Sequence, residues 1–132
     1  MKPANSLLLA VVALIFAASV EARNAPIVNH EKVAVATSSG KALSAADVKK
    51  VIMVAGTSKG WVITDAASGK LRGTLNVRKH TVIVDIDYSA TDFSIRYADS
   101  TNMDYRDGTI HSNYNNWIQN MLTAIRAELI KL

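Results

Sequence analysis

LRGTLNVRKHTVIVDIDYSATDFSIRY, residues 71–97, alternates apolar and polar side chains almost without a break. Leu71, Gly73, Leu75 and Val77 alternate with Arg72, Thr74 and Asn76, and Val82, Val84, Ile86 and Tyr88 alternate with Thr81, Ile83, Asp85 and Asp87. Phe93, Ile95 and Tyr97 do the same with Asp92, Ser94 and Arg96. Successive side chains of a strand point to opposite faces, so a period of two predicts half-buried strands. The short links between these runs predict an antiparallel meander with one apolar and one wet face. Residues 61–64 add a strand in front, joined through the turn-rich stretch 65–70. On the wet face, Arg72 and Arg78 are expected opposite Asp85 and Asp87, as exposed pairs that contribute little.

Working outward, the period changes to helical on both sides. Ser44 is placed to cap a helix with Asp47 in its first turn, and Val48, Val51, Ile52 and Ala55 follow at helical spacing. Lys59 and Gly60 supply a basic last turn and a left-handed cap. Downstream, Trp117, Ile118, Met121, Leu122, Ile125, Leu129 and Leu132 recur at threes and fours, an apolar stripe broad enough to roof a sheet. Ser112 or Asn113 is positioned to cap that helix. The expected fold is α+β: a two-layer sandwich in which a four-stranded antiparallel meander is covered on one face by an N-terminal and a C-terminal helix.

The N-terminal residues follow another logic. Residues 7–18 are an unbroken apolar run behind Lys2, followed by Ser19-Val20-Glu21-Ala22. That order is the layout of an export signal, and the run is shorter than the roughly 20 residues a spanning helix needs. Residues 1–22 are therefore expected to be a signal peptide cleaved after Ala22, which predicts a periplasmic, secreted protein with no stable membrane insertion. Residues 23–43 show no sustained period and contain Pro26 and Ser38-Ser39-Gly40. They are expected to be a flexible segment with at most a short strand at 33–36, ahead of a single domain over residues 44–132.

Composition narrows the function classes. An apolar share of 49% is that of a folding chain. The absence of cysteine excludes disulfides, thiolate metal sites, a Cys nucleophile and a lipid-bearing cysteine. Loss of residues 1–22 removes one lysine and one glutamate and leaves the net charge at +4. Lys and Arg are interspersed with acids instead of massed, so no nucleic-acid partner is expected. His30, His80 and His111 stand far apart without a ligand-like spacing, so neither a metal nor a cofactor is expected.

The densest polar and aromatic stretch is residues 99–117, which contains Asp99-Ser100-Thr101-Asn102 and Ile110-His111-Ser112-Asn113-Tyr114-Asn115-Asn116-Trp117. Amide and hydroxyl groups beside flat rings suit a sugar or a peptide. The candidate binding residues are Asp99, Ser100, Asn102, Tyr105, His111, Asn113, Tyr114, Asn115 and Trp117. The same residue types also serve as caps, turns and a core anchor. The expected function is a non-enzymatic binding or interaction module for a cell-envelope component: peptidoglycan, another glycan or an envelope protein. The alternative is a small hydrolase using Ser100 and His111, which requires those side chains to meet. A third class, anion binding on the wet sheet face, requires Arg72, Arg78 and Arg96 to be unpaired.

Together with Gly60-Trp61, Thr74-Leu75-Asn76-Val77-Arg78 and Tyr97-Ala98, these two motifs resemble a family of small bacterial exported proteins, many of them lipoproteins. The likeness covers about residues 44–130. It implies an envelope location and one domain, and implies no reaction. The chain departs from the lipoprotein pattern in lacking the anchoring cysteine.

Overall fold

The computed structural model describes residues 23–132; the expected signal peptide lies outside them. Among the described residues the fold is α+β, with seven strands and two helices in the order β1 (Asn24–Pro26), β2 (His30–Ala34), α1 (Ala45–Ser58), β3 (Val62–Ala67), β4 (Lys70–Val77), β5 (His80–Tyr88), β6 (Asp92–Thr101), β7 (Thr109–His111) and α2 (Asn113–Ile130).

α1 forms where its caps dictate. The Asp47 backbone N–H donates to Ser44 Oγ (3.1 Å) and the Ser44 N–H donates to Asp47 Oδ2 (3.0 Å), a reciprocal capping box. At the other end Gly60 adopts φ +88°. Its N–H donates to the Thr57 carbonyl and that of Trp61 to the Gly56 carbonyl, so two orphan acceptors of the last turn are satisfied.

β3, β4, β5 and β6 form the antiparallel meander, but the sheet has five strands in the order β2-β6-β5-β4-β3. The expected four-stranded sheet is corrected by β2, which pairs with β6 (His30 opposite Ile95, Val33 opposite Phe93). A separate two-stranded ribbon joins β1 to β7, with Asn24 opposite His111. The segment read as a flexible lead thus supplies two strands. No periodicity announces them, because strands of three and five residues are too short to show one and their partners lie far along the chain.

Register fixes the core. Leu71, Ile86 and Ile95 lie side by side across three strands, as do Gly73, Val84 and Tyr97. These apolar positions join Val48, Ile52, Ile118, Met121, Leu122 and Ile125 of the helices in one buried cluster, so both helices cover the same sheet face. The opposite face carries charge. Arg72 pairs with Asp85 (2.9 Å), and Arg96 bridges Glu31 and Asp87, which also accepts from Lys70 Nζ. Arg78 takes no part: it occupies the two-residue β4–β5 turn at φ +56°. Because Arg72 and Arg96 are both spent on carboxylates, the anion-binding reading of this face is withdrawn.

Candidate functional site

β6 runs three residues past the point where its alternation fails. Opposite β5, Tyr97 faces Val84 and Asp99 faces Ile83, so Ala98 is an extra residue and the register shifts. This β-bulge resets the parity of the strand: beyond it Ser100, opposite Val82, turns toward the helices, and Asp99 is exposed. Tyr97 and Ser100 therefore share a face, and their hydroxyls are 2.7 Å apart.

After β6 the chain turns sharply. Asn102 and Asp104 take φ +59° and +53°, and the buried Met103 between them anchors the connection, its carbonyl accepting from the His111 N–H. Asp107 and Gly108 follow at φ +50° and +82°. Arg106 and Thr109 exchange both backbone hydrogen bonds across that pair, which makes it a tight hairpin of the kind Asp-Gly favours. Tyr105 is held between these two fixed points.

The consequence is a column of three tyrosines. Tyr114, completely buried on α2, meets the Tyr97 ring edge-on, with centroids 5.6 Å apart and planes at 79°. Tyr105 stacks on Tyr97, with centroids 4.9 Å apart and planes at 9°, and remains 51% exposed. Aromatic pairs of this geometry contribute about 0.5–1.5 kcal/mol beyond their buried area, so the outermost ring is held in place from the core. Burial pushes the Tyr97 phenol above its ordinary pKa against the opposing effect of the Ser100 bond, and burial pushes the Tyr114 phenol up as well. Both stay neutral hydroxyls near pH 7. Beside Tyr105 opens a recess of about 220 Å³ lined also by Asn24, Asp104, Arg106 and Thr109.

The other candidate residues have separate duties. Asn115 Nδ2 donates to the Pro26 carbonyl (2.9 Å) and its Oδ1 accepts from the Val28 N–H (3.2 Å), clamping the link between β1 and β2 onto α2. Asn102 Nδ2 donates to the Lys79 carbonyl, which ties the β6–β7 connection to the β4–β5 turn. His111 Nδ1 accepts the Asn113 N–H (3.1 Å) and so caps α2; Ser112, in the cap position, has helical dihedrals and makes no side-chain bond to the helix. Trp117 is only half-buried at the margin of the core, and the deep anchor of α2 is Tyr114. Ser100 and His111 each bond elsewhere, and no bond joins them.

No family model, curated protein or solved structure matches the chain.

The structure brings Ser100, Tyr105 and Tyr114 of the candidate set around Tyr97, and leaves Asp99, Asn102, His111, Asn113, Asn115 and Trp117 outside that group. Sequence reasoning missed Tyr97, Asn24, Asp104, Arg106 and Thr109 as site residues. Tyr97 reads in sequence as one more apolar position of the alternation, and Asn24 enters the recess only through the pairing of β1 with β7. Arg106 carried a signal in retrospect, since it flanks the Asp107-Gly108 turn.

Proposed function

We propose that the protein is a non-enzymatic binding module for a glycan of the bacterial cell envelope, with Tyr105 as its recognition platform. The observation that carries this reading is the half-exposed Tyr105 ring, stacked on Tyr97 and bordered by a polar recess. The apolar face of a sugar ring packs on such a surface, while Asn24, Asp104, Arg106 and Thr109 offer donors and acceptors to its hydroxyls. At about 220 Å³ the recess falls below the roughly 300 Å³ at which small-molecule clefts begin, which suits one ring of a longer chain. The export signal read at residues 1–22 and the family resemblance agree with a periplasmic location, and peptidoglycan is a glycan of that compartment. The hydrolase alternative loses support because the Ser100 hydroxyl is engaged by Tyr97 and the His111 ring by the Asn113 N–H.

Soluble peptidoglycan fragments titrated into the protein, followed by calorimetry, test the proposal. Saturable binding is expected, weakened at least about tenfold by Tyr105→Ala when measured well below that variant's own thermal midpoint, which loss of the Tyr97 stack lowers, and retained by Tyr105→Phe. Binding that ignores Tyr105→Ala, or no binding at all, would reject it.

A further inference from the structure

We infer that the protein carries a second site, unrelated to Tyr105, which takes a single-chain amphiphile with an anionic head. α2 has 18 residues, so its C-terminal end lies roughly 27 Å from the tyrosine column. There, α1 and the C-terminal end of α2 border a groove of about 330 Å³ together with Lys41 and Leu43. Its floor is apolar: Leu43, Val51, Val54 and Leu132. Val54 and Leu132 remain 47% and 39% exposed, large values for aliphatic side chains packed between elements. The apolar track does not stop at the groove, because Val54 also borders a shallow depression with Met53 and Thr57 along the outer face of α1.

The polar groups are cationic where they are free. Lys41, Lys50 and Lys131 line the groove together with Asp47 and Glu128. Both acids are already engaged: Asp47 accepts the Ser44 N–H in the capping box, and Glu128 Oε1 pairs with Lys131 Nζ at 2.9 Å. Among the described residues Lys41 and Lys50 form no ion pair within 4 Å, although both lie near enough to Asp47 to help lower its pKa, and three lysines against two carboxylates leave the lining with an excess of positive charge. The exposed carbonyls at the end of α2 would oppose an anion through the helix dipole. Two of them are satisfied by nearby hydroxyls, the Ile130 carbonyl by Ser38 and the Leu132 carbonyl by Ser39. An opening lined by more ammonium groups than carboxylates, with an aliphatic track leading away along Val54 and Met53, complements a ligand that is negatively charged at one end and hydrocarbon at the other. A peptide is a poorer fit, because the track along Met53 and Val54 offers no backbone partner for its amide groups.

The test uses the full protein and dodecanoate below its micelle-forming concentration, with dodecyltrimethylammonium as the charge-reversed probe. Dodecanoate is expected to bind at one molecule per protein and the cationic probe not to bind. Lys41, Lys50 and Val54 are all exposed, so Lys41→Glu/Lys50→Glu and, separately, Val54→Asp should leave the thermal midpoint nearly unchanged. Each should weaken dodecanoate binding about tenfold or more. Tyr105→Ala should bind dodecanoate like the parent, which separates this site from the glycan reading. Equal binding of both probes, or indifference to these substitutions, overturns the inference. So does adsorption to phosphatidylglycerol vesicles without saturable uptake of dodecanoate, which would mark a membrane-facing surface instead of a one-molecule groove.

Discussion

Among the described residues the Tyr114 hydroxyl has no hydrogen-bond partner, although its side chain is completely enclosed. An unsatisfied buried hydroxyl costs about 1–3 kcal/mol, whereas the ring around it fills core volume and supports Tyr97. Tyr114→Phe keeps the ring and removes the liability. It should therefore raise stability by about 1 kcal/mol, read as a higher urea midpoint at unchanged slope. A lower midpoint would show that the hydroxyl has a partner. This position also shows what a residue list can and cannot convey. Tyr114 and Asn115 are neighbours in a motif rich in groups that could bind a ligand, yet one is buried in the core and the other spends both ends of its amide on the Pro26 and Val28 backbones. Which polar groups remain free depends on partners nearly 90 residues away, and no local pattern encodes that.

At the scale of elements, the close approach of α1 to the sheet depends on two glycines. Trp61 and Ile63 lie between Gly56 on α1 and Gly73 on β4. A Cβ at Gly56 would fall 2.8 Å from both Cγ1 and Cδ1 of Ile63, and one at Gly73 would meet Val84 Cγ2 at 3.0 Å and Ile63 Cδ1 at 3.2 Å. In an open helix, Gly→Ala gains about 1 kcal/mol in propensity. Here overpacking, typically about 1–3 kcal/mol, works against that gain, so Gly56→Ala should be destabilising by about 1 kcal/mol in chemical denaturation. Stabilisation would mean that Ile63 relaxes freely. The elements legible in sequence were those specified by their own residues: α1 by Ser44, Asp47 and Gly60, the meander by its alternation, and the β6–β7 turn by Asp107-Gly108. The end of β6 was hidden because the bulge at Ala98 breaks the alternation while the strand continues.

Across the whole molecule, residues 24–34 hold the two sheets and both ends of the fold in relation. β1 lies along β7, Asn115 clamps the following link, Asn29 Oδ1 accepts the Tyr97 N–H, and β2 completes the main sheet. Across the wet face the same segment is tied in by charge, since Arg96 joins Glu31 of β2 to Asp87 of β5. The Arg96 hydrogen bond is the main reason that the Glu31 and Asp87 carboxyls both sit below their ordinary pKa, with Lys70 adding to the effect at Asp87. His30, on the same strand, is also lowered, chiefly by burial and then by the charge of Arg126. In each case the folded pKa lies below the unfolded one, so the contribution to stability is complete above the unfolded pKa and is lost as pH falls through the folded one. The histidine loss should begin below about pH 6.5 and the carboxylate loss below about pH 4. Urea midpoints measured from about pH 8 to pH 3 should therefore fall in two stages as acid is added. His30→Gln should abolish the upper stage and leave the lower, and Asp87→Asn should shrink the lower and leave the upper. These exposed ion pairs are weak individually, and among them the Arg96–Glu31 pair ties in the segment that carries Asn24 to the recess. If glycan binding is lost on acidification in step with the lower stage while the helical signal persists, β1 and β2 detach before the core opens. Loss of binding and of helix together would show that the segment unfolds with the whole domain.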